Sequence, residues 1–115
     1  RQQIEQVTKE LVNVEDPPTA IFCFNDQIAV LVKEILTDLQ VKVPEDISLI
    51  GFDNSKLVKL SDISIASIAH PKERSGKQAA NIILDKIKGA SSEILPEEIK
   101  FSPKLIKRDS VKKID

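Results

Sequence analysis

Apolar side chains recur along this chain in two rhythms. Ile4, Val7, Leu11 and Val14 are spaced three or four residues apart, the period of one helix face, and the pattern stops before Asp16-Pro17-Pro18. Three short and almost continuously apolar runs follow, at residues 20–24, 47–52 and 65–69. Runs of that length, bounded by turn formers and followed by helical patterns, read as buried parallel strands of an α/β domain. After the first run, Asn25 or Asp26 is expected to cap a helix whose stripe is Ile28, Val32, Ile35, Leu36 and Leu39 and which ends near Gln40. Val43-Pro44-Glu45-Asp46 makes the turn into the second strand, where Gly51 permits close backbone approach. A short helix is expected over residues 55–60. A long one follows over about 72–88, with Ala80, Ile83, Leu84 and Ile87 on one face and Gly89 as its stop. Two short strands, near residues 98–101 and 104–108, complete the pattern.

Each apolar run ends on a side chain able to hold a polar ligand: Asn25, Asp53 and His70. In open α/β sheets small molecules bind beyond the carboxyl ends of the strands, so these three are expected to face one crevice. A carboxylate at position 53 can accept two hydroxyl hydrogen bonds, which suits a polyol; the plainer role is to cap the turn before Ser55. Asn25 offers both donor and acceptor, as a hydroxyl does, and can cap the following helix at the same time. His70 is the sole histidine, with no companion at metal-ligand spacing, so the expectation is a hydrogen-bonding group or a turn histidine and no metal site. The chain has no nucleophile-elbow Gly-x-Ser-x-Gly, no Gly-x-Gly-x-x-Gly and no Walker-type loop. Binding is therefore expected rather than catalysis, with no cofactor.

Composition narrows this further. At 115 residues the chain fits one modest domain or one lobe of a larger one. Lys plus Arg number 17 against 18 for Asp plus Glu, which provides no concentrated basic face for nucleic acid. Lys104, Lys107, Arg108, Lys112 and Lys113 read as a solvated tail. No apolar run approaches the roughly 20 residues needed to cross a bilayer, which disfavours a membrane role. Cys23, the one cysteine, lies inside an apolar run as a small hydrophobe, and the start Arg1-Gln2-Gln3 has no signal-like character, so a reducing, cytoplasmic setting is expected. The absence of any methionine reads as a piece of something longer. Val30 and Leu31 widen the stripe of the second helix, which points either to a partner surface or to deeper burial within the chain.

Two strings carry a family resemblance: Pro-Thr-Ala-Ile-Phe-Cys-Phe-Asn-Asp-Gln-Ile-Ala at residues 18–29, and Val-Pro-Glu-Asp-Ile-Ser-Leu-Ile-Gly-Phe-Asp-Asn at residues 43–54. Together they resemble the effector-binding domain of the LacI/GalR transcriptional regulators, and Leu-Ile-Lys-Arg-Asp-Ser at 105–110 resembles the strand near its end. The resemblance implies a periplasmic-binding-protein-like lobe, here partial, with a parallel sheet flanked by helices. Residues 1–70 would belong to the C-terminal lobe, 71–90 to a crossover helix of the N-terminal lobe, and 91–115 to strands returning to the C-terminal lobe. It further implies sugar-hydroxyl contacts at Asn25 and Asp53, a crossover position near the effector at His70, and a homodimer interface through Val30, Lys33, Leu57 and Leu60. Operator DNA would be met only through an N-terminal head outside this sequence. His70-Pro71-Lys72-Glu73, with Gly76-Lys77-Gln78-Ala79-Ala80 after it, is similar to arabinose repressors that carry a GntR-type head, so the implied effector is a sugar and arabinose the first to test. An extracytoplasmic sugar-binding protein for transport or chemotaxis shares this fold and is the alternative.

Overall fold

The computed structural model describes residues 1–89 and 99–114. They form two compact units, one made of residues 1–69 with 104–114 and the other of residues 70–89 with 99–103. In the first unit the chain runs through α1 (Gln2–Val12), β1 (Ala20–Phe22), α2 (Asp26–Asp38), β2 (Ser48–Phe52), α3 (Lys56–Leu60) and β3 (Ala66–Ala69), and it finishes with β4 (Lys104–Ile106). The second unit contains α4 (Lys72–Ile87).

The sheet has the order β1-β2-β3-β4. Its first three strands are parallel, with Ile21 opposite Leu49 and Gly51 opposite Ser67. β4 runs antiparallel to β3, pairing Ala69 with Lys104, so the expected parallel sheet carries one antiparallel strand at its edge. The returning strand also ends at residue 106 rather than 108, and residues 99–101 of the other expected strand are irregular; residue 98 lies outside the described residues.

The helices follow from their residue patterns. In α2 the Asn25 side chain accepts from the Ile28 amide at 2.9 Å, so one first-turn donor that the helix cannot satisfy internally is paired. Ala29, Val32, Ile35 and Leu36 are buried on the face that packs on β2, while Ile28 and Leu39 of the expected stripe are half-buried. Burial of each such Val, Ile or Leu stabilises by roughly 1.5–3 kcal/mol. With Leu49, Val58 and Ile65, each fully buried, these residues make the core. Val30 is half-buried against that core, so part of the widened stripe serves the chain itself. Cys23 belongs to the same cluster, and burial pushes its thiol up to about 11, which keeps it protonated and unreactive at neutral pH.

Not every apolar run is buried. Among the described residues β1 pairs with β2 alone, and Phe22 and the following Phe24 are 63% and 82% exposed. The expectation of a buried first strand is thus corrected: an edge strand has one side without a sheet neighbour. In the second unit, none of the described residues of α4 is buried, and Ile83, Leu84 and Ile87 are exposed. Gly89, at φ 62°, ends that helix as expected of a glycine in the left-handed region. The Arg74 guanidinium lies 5.2 Å above the Phe101 ring, a cation–π contact within this unit.

Candidate functional site

The strand register fixes where Asn25 and Asp53 stand. Phe22 pairs with Ile50 across β1 and β2, and each of the two polar residues comes three positions after its member of that pair. Both therefore lie just beyond the carboxyl ends of neighbouring parallel strands, on one rim of the sheet, and both are half-buried. The cap bond occupies one lone pair of the Asn25 amide oxygen; an amide carries a second lone pair and two N–H donors.

Behind Asp53 the backbone is unusual. Asp53 has φ 108° and its neighbour Asn54 has φ 51°. Non-glycine residues in this region cost on the order of 1–3 kcal/mol each and persist only where the surroundings over-determine them. Here they do. The Asp53 amide donates to the Ile68 carbonyl of β3 at 2.9 Å, and the Asn54 amide to the Ser67 hydroxyl at 2.9 Å. The next amide, of Ser55, donates to Asp26 Oδ2 at 2.6 Å. Three consecutive N–H groups are thus held by three different acceptors.

Asp26 is the hub of this arrangement. It opens α2, is 2% exposed, and its other oxygen, Oδ1, accepts from the Ser67 hydroxyl at 2.6 Å. A buried carboxylate is tolerable where each oxygen is hydrogen-bonded and the charge sits at a helix N-terminus, where the macrodipole favours it. Gly51 makes room for it: a Cβ there would stand 2.3 Å from Asp26 Oδ1 and 3.2 Å from Asp26 Cα. The close approach expected at Gly51 is therefore that of the start of α2.

Of the residues expected as a solvated tail, Lys104, Lys107, Lys112 and Lys113 are exposed, whereas Arg108 joins the same frame. Arg108 is half-buried; Nη1 donates to the Ile65 carbonyl at 2.8 Å and Nη2 donates to Asn54 Oδ1. Ser110 is fully buried, donates through its hydroxyl to the Leu49 carbonyl at 2.5 Å and accepts from the Ala66 amide at 2.8 Å, which ties β2 to β3. Lys112 donates from its amide to Ser48 Oγ at 3.1 Å and from its ammonium to the Glu45 carbonyl at 2.5 Å. Backbone carbonyls with spare lone pairs recruit the Arg108 guanidinium and the Lys112 ammonium.

His70 belongs to the second unit, where it is half-buried and its carbonyl accepts from the Lys72 amide at 2.8 Å. Among the four residues expected at a dimer interface, Leu57 and Leu60 are 46% and 82% exposed. Lys33 donates to Asp62 Oδ2 within the chain, and its ammonium lowers the Asp62 carboxyl from its usual value. No cluster of three or more metal-ligating side chains occurs among the described residues.

Asp26, Ser67 and Arg108 were not singled out for the site from sequence. The one legible signal was Gly51 inside an apolar strand, which marks that something must come close without saying what.

Comparison with known proteins agrees with this fold. Residues 1–111 match the family of periplasmic binding protein-like domains. The HTH-type transcriptional repressor PurR of Vibrio vulnificus (strain CMCP6) is 39% identical over 106 residues, which span 92% of this chain and 31% of that protein. The arabinose metabolism transcriptional repressor of Geobacillus stearothermophilus is 36% identical over 100 residues, 87% of this chain and 27% of that one. Among solved structures, a LacI family transcriptional regulator from Enterococcus faecalis V583 with bound ribose superposes with a TM-score of 0.83 at 29% identity, covering 97% of this chain and 40% of that one. The chain thus spans about a third of the length of the curated relatives it matches.

Proposed function

Because the chain belongs to the periplasmic binding protein-like domains that form the effector-binding part of LacI/GalR transcriptional regulators, we propose that it is the sugar-sensing and dimerising portion of a bacterial repressor. The relatives are repressors, which favours this reading over an extracytoplasmic transport protein. The supporting observation is the register that sets Asn25 and Asp53 on one rim of the sheet. Asp53 would accept from two hydroxyls of one sugar while the Asn25 amide donates to a third. Each charge-assisted bond of this kind contributes roughly 1.5–3 kcal/mol. His70 is carried forward as a sugar-contacting side chain of its own unit, and residues 71–90 as a helix of the opposite lobe in the whole regulator.

In this reading the sugar binds the closed arrangement of two lobes more tightly than the open one, and that differential affinity reorients DNA-binding heads encoded elsewhere. A coupling of about 1–3 kcal/mol, roughly 5–150-fold, suffices for such a switch. As a repressor like its relatives, the protein would act in the cytoplasm as a non-enzymatic sensor. No helix among the described residues is long and apolar enough to cross a membrane. Pentoses are the first probes, given the relatives' arabinose and ribose connections. Calorimetric titration of the full-length protein with L-arabinose and D-ribose should yield binding that weakens about 10²–10⁴-fold in Asp53→Ala. Equal affinity in the two proteins removes Asp53 from the site.

The exposed side chains of α3 suggest how the subunits pair. Leu60, 82% exposed, and Leu57 would meet a second copy of the chain beside Val30, while Lys33 stays bridged to Asp62. Leu60→Glu should convert a full-length dimer to monomer at micromolar concentration in sedimentation velocity. A variant that remains fully dimeric takes α3 out of the interface.

A further inference from the structure

We infer that Arg108 and Asn54 act as positioning residues for the effector site, holding Asp53 ready for its ligand from the strand by which the chain re-enters the first unit. This rests on the reading of Asp53 as a sugar contact. Asp53 and Asn54 are consecutive left-handed residues, at φ 108° and 51°, and neither is glycine. Their amides and that of Ser55 are fixed by β3 and by Asp26. The Asn54 side chain points to a different anchor: Arg108, just after β4, donates to its amide oxygen while the other terminal nitrogen holds the Ile65 carbonyl before β3.

The chemistry of that anchor suits positioning. A guanidinium offers planar N–H donors in a fixed fork, so satisfying the Ile65 carbonyl with one arm aims the other at Asn54. A lysine has one nitrogen on a flexible stem and cannot reproduce the two-armed geometry. The residues linked are 54 apart in sequence, and they join the turn carrying Asp53 to β4, which pairs with β3 at Ala69 and Lys104. β3 and β4 are the two strands at which the chain leaves the first unit and returns to it. The turn is therefore tied to both crossing points of the chain, and its conformation depends on their being in register.

A purely structural Asn54 and a positioning Asn54 predict opposite outcomes for Asn54→Gly. Glycine adopts positive φ freely, so the fold tolerates the change and thermal stability should be retained, but the tether to Arg108 is lost. If the competent turn falls to about a tenth of the population, the apparent Kd rises about tenfold. Full-length protein is titrated with D-ribose and L-arabinose as wild type, Asp53→Ala, Asn54→Gly and Arg108→Lys, and amide hydrogen exchange at residues 53–55 is followed in each without sugar. The expected result is about tenfold weaker pentose binding and faster exchange of those amides in Asn54→Gly and Arg108→Lys, with a melting temperature near that of wild type for Asn54→Gly. Wild-type exchange at these amides in both variants overturns the proposal, and so does unchanged pentose affinity in both where Asp53→Ala binds weakly. Should wild type bind neither pentose, or Asp53→Ala bind normally, the effector reading fails by itself and the exchange rates still decide whether Arg108 and Asn54 hold the turn.

Discussion

Replacing Asp26 with alanine should lower the unfolding free energy by about 3–5 kcal/mol, read as a shift of the urea midpoint with an unchanged slope. The carboxylate satisfies the Ser55 amide and the Ser67 hydroxyl, and its deletion orphans both where α2 meets the interior strands of the sheet. Leaving a buried donor without its acceptor costs about 1–3 kcal/mol, and the anion at the start of α2 contributes a further 0.3–1 kcal/mol or so through the helix dipole. Part of the support for the left-handed residues at 53 and 54 goes with it. Asp26→Asn keeps the shape and one good acceptor but turns an NH2 toward one of the donors, so an intermediate loss of about 1–2 kcal/mol is expected. A loss below about 1 kcal/mol for the alanine variant would show that Asp26 is not the hub described.

Gly51→Ala should cost about 2–3 kcal/mol although it adds only one methyl group to a β-strand, a position where alanine is ordinarily the better residue. The added carbon would meet Asp26 Oδ1 at 2.3 Å, Asp26 Cα at 3.2 Å and the Ala29 methyl at 3.3 Å. The carboxylate oxygen cannot swing aside without abandoning Ser67, and the backbone of α2 can retreat only by loosening its packing on β2. The two substitutions should also interact: with Asp26→Ala in place, the worst overlap is gone, and Gly51→Ala should then cost less by about 0.5–3 kcal/mol. Thermal or urea unfolding of the four proteins of this double-mutant cycle measures the coupling. Strict additivity would mean that the glycine is required by something other than Asp26.

These two residues also mark the limit of what spacing along the chain can tell. The helical period of α1, α2 and α4, the three apolar runs, the cap at Asn25 and the stop at Gly89 are set within a few residues, because hydrophobic periodicity and terminal hydrogen bonding are local properties. That is why the α/β character and the rim bearing Asn25 and Asp53 are legible in the spacing itself, and why two ordered strings suffice to indicate the family. Over-extension of β1 came from the same source: Phe24 continues the apolar run, but no local feature tells an edge strand from a central one.

Local spacing along the chain settles which residues can be strands and helices, and which polar groups emerge at the strand ends. Tertiary structure alone decided how the turn carrying Asp53 is held, since its supports come from Asp26, Ser67 and Arg108, joined by hydrogen bonds spanning 29 to 54 residues. A buried carboxylate and a half-buried guanidinium look, in a list of residues, like any surface charges. What distinguishes them is the set of amides, hydroxyls and carbonyls that folding brings around them, and a group buried with its partners stabilises where the same group buried alone would cost several kcal/mol, of order 5.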